Sequence, residues 1–194
     1  MSKLPLIPVD EWSEDMRITS GKMLPPRDKR PPDDGKPRPR GVQVLEVFAN
    51  NQALSDAFFA FNRHVLWGTS LPPRWRHFLI IRVAAVRRSQ YVWAQHVFQA
   101  RDAGLTDEEM SRIAIGPDAP FFTPFEAALV RSVDEFVDDG HIADETWAML
   151  TEELDEAQML DVMFTIGCYV TVGAMTKSVG LEIDPGLGDM LAEW

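Results

Sequence analysis

The chain has 194 residues, of which 45% are hydrophobic and 25% charged. That is long enough to enclose one sizeable core, and the proportions are ordinary for a soluble globular domain. With 19 basic against 30 acidic residues, the net charge is −11 and the pI about 4.7. This excludes the basic footprint that a nucleic-acid partner requires, but it leaves room for a small anion held by one local arginine. The single cysteine, Cys168, excludes an intrachain disulfide and a cysteine-based zinc cluster. Its apolar neighbours mark it as a small buried hydrophobe.

The opening "MSKLPLIPVDEW" carries no apolar run of signal-peptide length. The longest apolar stretch, "MFTIGCYVTVGAM", is shorter than a bilayer span. The expected location is therefore cytoplasmic, with no membrane partner. Residues 1–41 read as a proline-rich, charged arm. Within "SGKMLPPRDKRPPDDGKPRPR" no hydrophobic period survives. The acids Asp28, Asp33 and Asp34, interspersed among its basic residues, argue against nucleic acid there too.

From residue 42 to 184 the pattern is helical. "VLEVFANNQALSDAFFAFNRHVLWG" carries two apolar faces broken near Asn50 and Asn51. Pro72 and Pro73 are suited to start the helix in "PPRWRHFLIIRVAAVRR". "SQYVWAQHVFQARDA" ends at Gly104, a helix stop. Thr106 with Glu109 and Thr123 with Glu126 form capping boxes, Asp144 is placed to start "ETWAML", and Asp155 with Gln158 opens a long apolar helix. No alternating run of strand length appears. The predicted fold is a single-domain all-α bundle with short connections, followed by a tail over 185–194.

Two segments resemble a known superfamily. "LPPRWRHFLIIRVAAVRRSQYVWAQHVFQARDAGLTDEEMSRIA" resembles the core antiparallel hairpin of the carboxymuconolactone decarboxylase and alkylhydroperoxidase-D-like (AhpD-like) proteins. "DVMFTIGCYVTVGAMTKSVGLEID" resembles their later helix, with its Gly-x-Tyr element at Gly167 and Tyr169. The redox branch uses a C-x-x-C pair, a histidine four residues later and an upstream glutamate. The resemblance lays those positions on Ser89, Val92, His96 and His77, so only the histidine is kept. Thiol peroxidase chemistry needs an attacking thiolate and a resolving sulfur, which Ser89 and Val92 do not supply. The decarboxylase branch lacks the cysteine pair and works without metal or organic cofactor. Many of its members carry glutamate after the tyrosine, where this chain has Val92. The resemblance also implies a homo-oligomer.

At 100° per residue, Ser89, Val92, Trp93 and His96 share one helical face, while Tyr91 and Gln95 point toward the other side. His96 is the candidate general acid/base, because an imidazole has both protonation states within reach near neutrality. His77, on the facing helix of the hairpin, is placed either to assist it or to bond a backbone carbonyl. No carboxylate or cysteine joins the two histidines in a metal-ligand set, and no cofactor is expected. Ser89 is suited to cap its helix or to donate to an oxyanion. Trp93 is suited to pack in the core or to form a substrate platform. Arg74, Arg76 and Arg82 can each hold a carboxylate, and Arg74 is taken as the candidate. His64, with Phe61 and Trp67, can line the pocket. The candidate substrate-binding set is thus Ser89, Trp93, Tyr91, His64, Trp67 and Arg74. Two functions fit: a cofactor-independent decarboxylase-type lyase acting on a small organic acid or lactone, and a noncatalytic oligomeric binding or scaffold protein on the same fold.

Overall fold

The computed structural model describes residues 2–29, 41–184 and 187. Among these, all regular structure is helical. The nine α-helices of the described residues are α1 (Glu14–Gly21), α2 (Val42–Phe48), α3 (Gln52–Arg63), α4 (Pro73–Val86), α5 (Gln90–Asp102), α6 (Asp107–Ile115), α7 (Pro124–Asp138), α8 (Asp144–Thr151) and α9 (Glu156–Val179). Short three-ten turns cover Val9–Glu11 and Arg27–Lys29, and a π turn over His64–Gly68 extends α3.

The local stops and starts follow from side-chain chemistry. Ser89 caps α5 by accepting from Val92 N, and Asn51 caps α3 by accepting from Leu54 N. All three capping boxes close: Thr106–Glu109, Thr123–Glu126 and Asp155–Gln158. Each satisfies backbone donors that would otherwise be orphaned at a helix start. The start of α8 differs from the expectation. Ala143, not Asp144, holds the cap position and offers no side-chain acceptor. The Glu135 carboxylate reaches over from α7 instead, accepting from Ala143 N at 2.9 Å and from the Thr146 hydroxyl at 2.8 Å.

The centre of the bundle is α4, which packs against α5, α6, α7 and α9. Arg76, His77, Phe78, Leu79, Ile80, Ile81, Val83 and Ala84 are all buried there. A helix enclosed on every side has no solvent stripe, which is why its apolar residues run together instead of keeping a helical period. Arg82 serves this packing. It forks onto Asp134 of α7 at 2.7 and 2.8 Å, and it donates to the carbonyls of Ile113 and Ala114 at the end of α6.

The first part of the expected arm is a packed element. Trp12 and Met16 join Phe48 and Phe59 in a second apolar cluster, and α1 lies along α3. Ser13 caps α1, and Thr19 hydrogen-bonds the Asp56 carboxylate. The spacing of Trp12, Met16 and Thr19 puts one buried face on a short helix. Residues 30–40 of the arm lie outside the described residues, as do those of the 185–194 tail apart from Leu187.

By length and composition α9 could cross a membrane; the 13-residue apolar run read from the sequence understates its extent. In the fold, Met159, Val162, Ile166 and Tyr169 instead bury one side of it against the bundle.

Candidate active site

The hairpin of α4 and α5 brings His77 and His96 together. Their ring centroids are 5.8 Å apart and their planes inclined by 45°. On its other side, His96 meets the edge of Tyr169 from α9, at 4.7 Å and 85°. All three line a cavity of about 1320 Å³ that runs outward between the hairpin, α2, α3 and the N-terminal segment. Most of its walls are apolar: Phe58, Phe59, Leu66, Leu71, Val92 and Phe98 from the bundle, and Met23 and Leu24 from the N-terminal segment. Trp67 joins them, and its indole N–H donates to the Met23 carbonyl at 3.1 Å, tying that segment down.

Polar residues also line it, among them Arg17, Asp28, Gln95, Gln99 and Asp102, and beside these stand Arg76 and the two histidines. Arg76 is only 6% exposed, and its Nε has no hydrogen-bond partner. Among the described residues no carboxylate pairs with it. His77 Nδ1 and His96 Nδ1 are likewise buried and unpartnered. Burial pushes the His96 pKa down to about 3, with the Arg76 charge adding to the effect. Burial also holds His77 well below its ordinary value, with His96 and Arg76 contributing. Both rings are therefore neutral at physiological pH. Burial raises the phenols of Tyr91 and Tyr169 above their usual range, so both remain protonated. Asn62 lines the cavity from α3 and donates to Cys168 Sγ at 3.2 Å.

Of the residues named from the sequence, His96, His77, Tyr91 and Trp67 border this cavity, and the other four lie elsewhere. Ser89 is 1% exposed at the crossing of α5 and α9; a Cβ on Gly173 would sit 3.3 Å from its own Cβ. Its role is the cap. Trp93 belongs to the main core cluster. His64 is more than half exposed and bonds Asp161 of α9 at 2.7 Å, facing away from the cavity. Arg74 is committed to Glu109 at 2.5 Å and Glu126 at 3.3 Å. Its hydrogen bond to Glu109 is the main reason that carboxyl falls to about 2.

The correction for Ser89 and Trp93 has a simple geometric cause. The cavity-facing stripe of α5 contains Tyr91, Val92, Gln95, His96 and Gln99. It is rotated by roughly a quarter turn from the expected face, and Val92 and His96 are common to both. The Ser89–Trp93–Ala100 side is taken up by packing in the bundle.

The sequence model of the Carboxymuconolactone decarboxylase family matches residues 52–135, a span that holds Arg76, His77 and His96. That match spans less than half of the chain, and it agrees with the resemblance to the carboxymuconolactone decarboxylase and AhpD-like proteins read from the sequence. The chain lacks a C-x-x-C pair: Ser89 and Val92 stand where the resemblance lays it, and Cys168 is the single cysteine.

Solved structures share the fold at low identity. One, titled as an alkylhydroperoxidase AhpD core and uncharacterized peroxidase-related protein from Ralstonia eutropha JMP134, is 15% identical with a TM-score of 0.76. The match covers 97% of this chain and 95% of that one. A protein of unknown function from Agrobacterium tumefaciens, suggested to be the antioxidant defence protein AhpD, is 18% identical with a TM-score of 0.64, covering 70% and 94%. An uncharacterized peroxidase-related protein from Silicibacter sp. TM1040 is 12% identical with a TM-score of 0.66, covering 74% and 76%. No curated protein matches the chain by sequence.

Proposed function

We propose that this chain is a cofactor-independent lyase of the decarboxylase type, acting on a small, partly apolar organic acid or lactone that carries a carboxylate. The observation that carries the reading is Arg76: a buried guanidinium without an acidic partner, beside two unpartnered imidazoles in a mostly apolar cavity. A buried charge left unpaired costs several kcal/mol, roughly, and a bound carboxylate offsets that cost with a charge-assisted fork.

The chemistry assigned to each group follows from its surroundings. Arg76 holds a substrate carboxylate in the low-dielectric cavity. Where that binding cancels the Arg76 charge, one of the influences depressing His96 is removed, and the imidazole takes up a proton more readily. Decarboxylation breaks the bond between the carboxylate carbon and its neighbour, and the electron pair passes into a conjugated acceptor on the substrate. Carbon dioxide leaves, and His96 delivers a proton to the carbon, regaining one from solvent. Tyr169 and His77 fix the orientation of the His96 ring.

Thiol peroxidase activity does not fit this chain, although two of the similar structures are titled as peroxidase-related. Cys168 is 3% exposed, and burial pushes its thiol up to about 11, leaving very little thiolate at neutral pH.

The test is a screen of carboxylated lactones and related unsaturated acids, reading binding by calorimetry and carbon dioxide release by a coupled assay. Turnover that disappears in His96→Ala with binding retained supports the assignment. Full turnover in that variant removes the mechanism. Acids that bind and are never consumed point to the noncatalytic binding protein instead.

A further inference from the structure

The outer face of α9 is incomplete within one chain. The exposed or half-exposed positions Ala157, Leu160, Phe164, Gly167, Thr171, Ala174 and Ser178 recur at spacings of three and four, the period of a coiled-coil seam. Leu160 is 54% and Phe164 56% exposed. Phe164 is touched edge-on by Phe61 of α3 at 6.0 Å, which widens the patch. Less than half of the helix's most apolar stretch is buried. Gly167 lies mid-helix at the centre of the seam, and no atom lies within 4 Å of where its Cβ would be. A mid-helix glycine costs roughly 0.5–1 kcal/mol relative to alanine, and nothing among the described residues accounts for it here.

Size and charge along this seam select one occupant. Large residues, Leu160 and Phe164, stand in the N-terminal half, and small ones, Thr171, Ala174 and Ser178, in the C-terminal half. At the N-terminal end Glu152, Glu153 and Glu156 are exposed. At the other end Arg87, Arg88 and Lys177 are exposed, with Lys177 Nζ on the Arg87 carbonyl at 2.9 Å, around a groove of about 400 Å³. Among the described residues none of these six side chains is paired with an opposite charge. In an antiparallel pair of identical helices, each large half meets a small half and each acidic end meets a basic end.

We propose that α9 is the two-fold interface of a homodimer, antiparallel about Gly167, with Phe164 seated on Thr171 and Leu160 on Ala174 of the second copy. The glycine lets the two backbones approach at the axis, as an isologous contact allows. The interface is independent of the cavity chemistry, because Phe164 and Leu160 do not line the cavity.

Analytical ultracentrifugation of the full chain at micromolar concentration tests the pairing. A dimer is expected, with Phe164→Glu weakening it by at least about tenfold while helical content stays unchanged. Orientation is read by disulfide trapping. A mixture of Leu160→Cys and Ala174→Cys chains should cross-link, and Leu160→Cys alone should not. A monomeric wild type, a dimer indifferent to Phe164→Glu, or self-linking of Leu160→Cys overturns the proposal. So does a monomer that floats with vesicles of phosphatidylcholine and phosphatidylglycerol, which would make the face a lipid contact.

Discussion

His96 stands edge-on to Tyr169 at 4.7 Å and tilted against His77 at 5.8 Å. The central imidazole of the cavity is thus held between rings from two other helices, and among the described residues no carboxylate is hydrogen-bonded to it. In a Ser-His-Asp arrangement an acid partner stabilises the imidazolium. Here, burial and, after it, a nearby guanidinium keep the ring neutral, and this difference shapes the first two predictions.

Stability should fall as the solution is acidified through the ordinary histidine range. Unfolded, His77 and His96 take up protons near pH 6.5; folded, His96 does so only near 3, and His77 is also held well below its ordinary value. Above 6.5 both states are neutral and nothing is lost. Below it the unfolded chain binds more protons, and each ring costs about 1.4 kcal/mol of stability per pH unit. Urea unfolding between pH 7 and 5 should show this slope, and His96→Asn should remove about half of it. A slope unchanged in His96→Asn would mean the ring is already charged in the folded protein.

Arg76→Met should separate binding from stability. With its unpaired buried charge removed, the ligand-free protein should melt higher, by about 2–6 °C. Affinity for any carboxylate ligand should drop by about a hundredfold. Calorimetry and a thermal melt on the same sample read both effects. A lower melting temperature would show that the guanidinium has a structural partner.

Gly68 is held small by its neighbour. A Cβ there would come within 2.9 Å of His64 Nδ1, on the ring that bonds Asp161, whose other oxygen accepts from Thr69 at 2.6 Å. Gly68→Ala should displace His64 and cost about 1 kcal/mol. The same change in a His64→Ala background should be close to neutral. Chemical denaturation of the four proteins closes the cycle, and additivity would dismiss the coupling.

Cys168 should be inert while the protein is folded. With its thiol pushed up to about 11 and its sulfur bonded by Asn62, alkylation by iodoacetamide at pH 7 should be slow in buffer and complete in urea. Cys168→Ala should keep whatever activity the wild type has. Loss of turnover in a folded Cys168→Ala protein would return sulfur to the mechanism.

The helices were legible because their ends carry local chemistry: capping boxes at Thr106, Thr123 and Asp155, a cap at Ser89, and Gly104 with φ of +86° at a stop. The meeting of His77 with His96 could be anticipated, since an antiparallel hairpin fixes which turns oppose each other. The choice of arginine could not. Arg74 and Arg76 are adjacent in type and spacing, and only tertiary packing decides that Arg74 meets Glu109 while Arg76 turns inward. Asn62 gave no signal within "FFAFN", and Tyr169 entered only through its motif. The packing of α1 was hidden because the proline-rich segment after it dominates the composition of the first 41 residues.

The walls of the cavity come from far apart along the chain. Met23 is held by Trp67, the two imidazoles sit on the central hairpin, and Tyr169 arrives with the last helix. A fragment limited to residues 52–135 would contain Arg76, His77 and His96 and still leave them open to water, with ordinary proton affinities. On the proposed reading, ligand recognition therefore emerges only after the segment around Met23 and α9 have docked, and a bound acid should shield both from proteases.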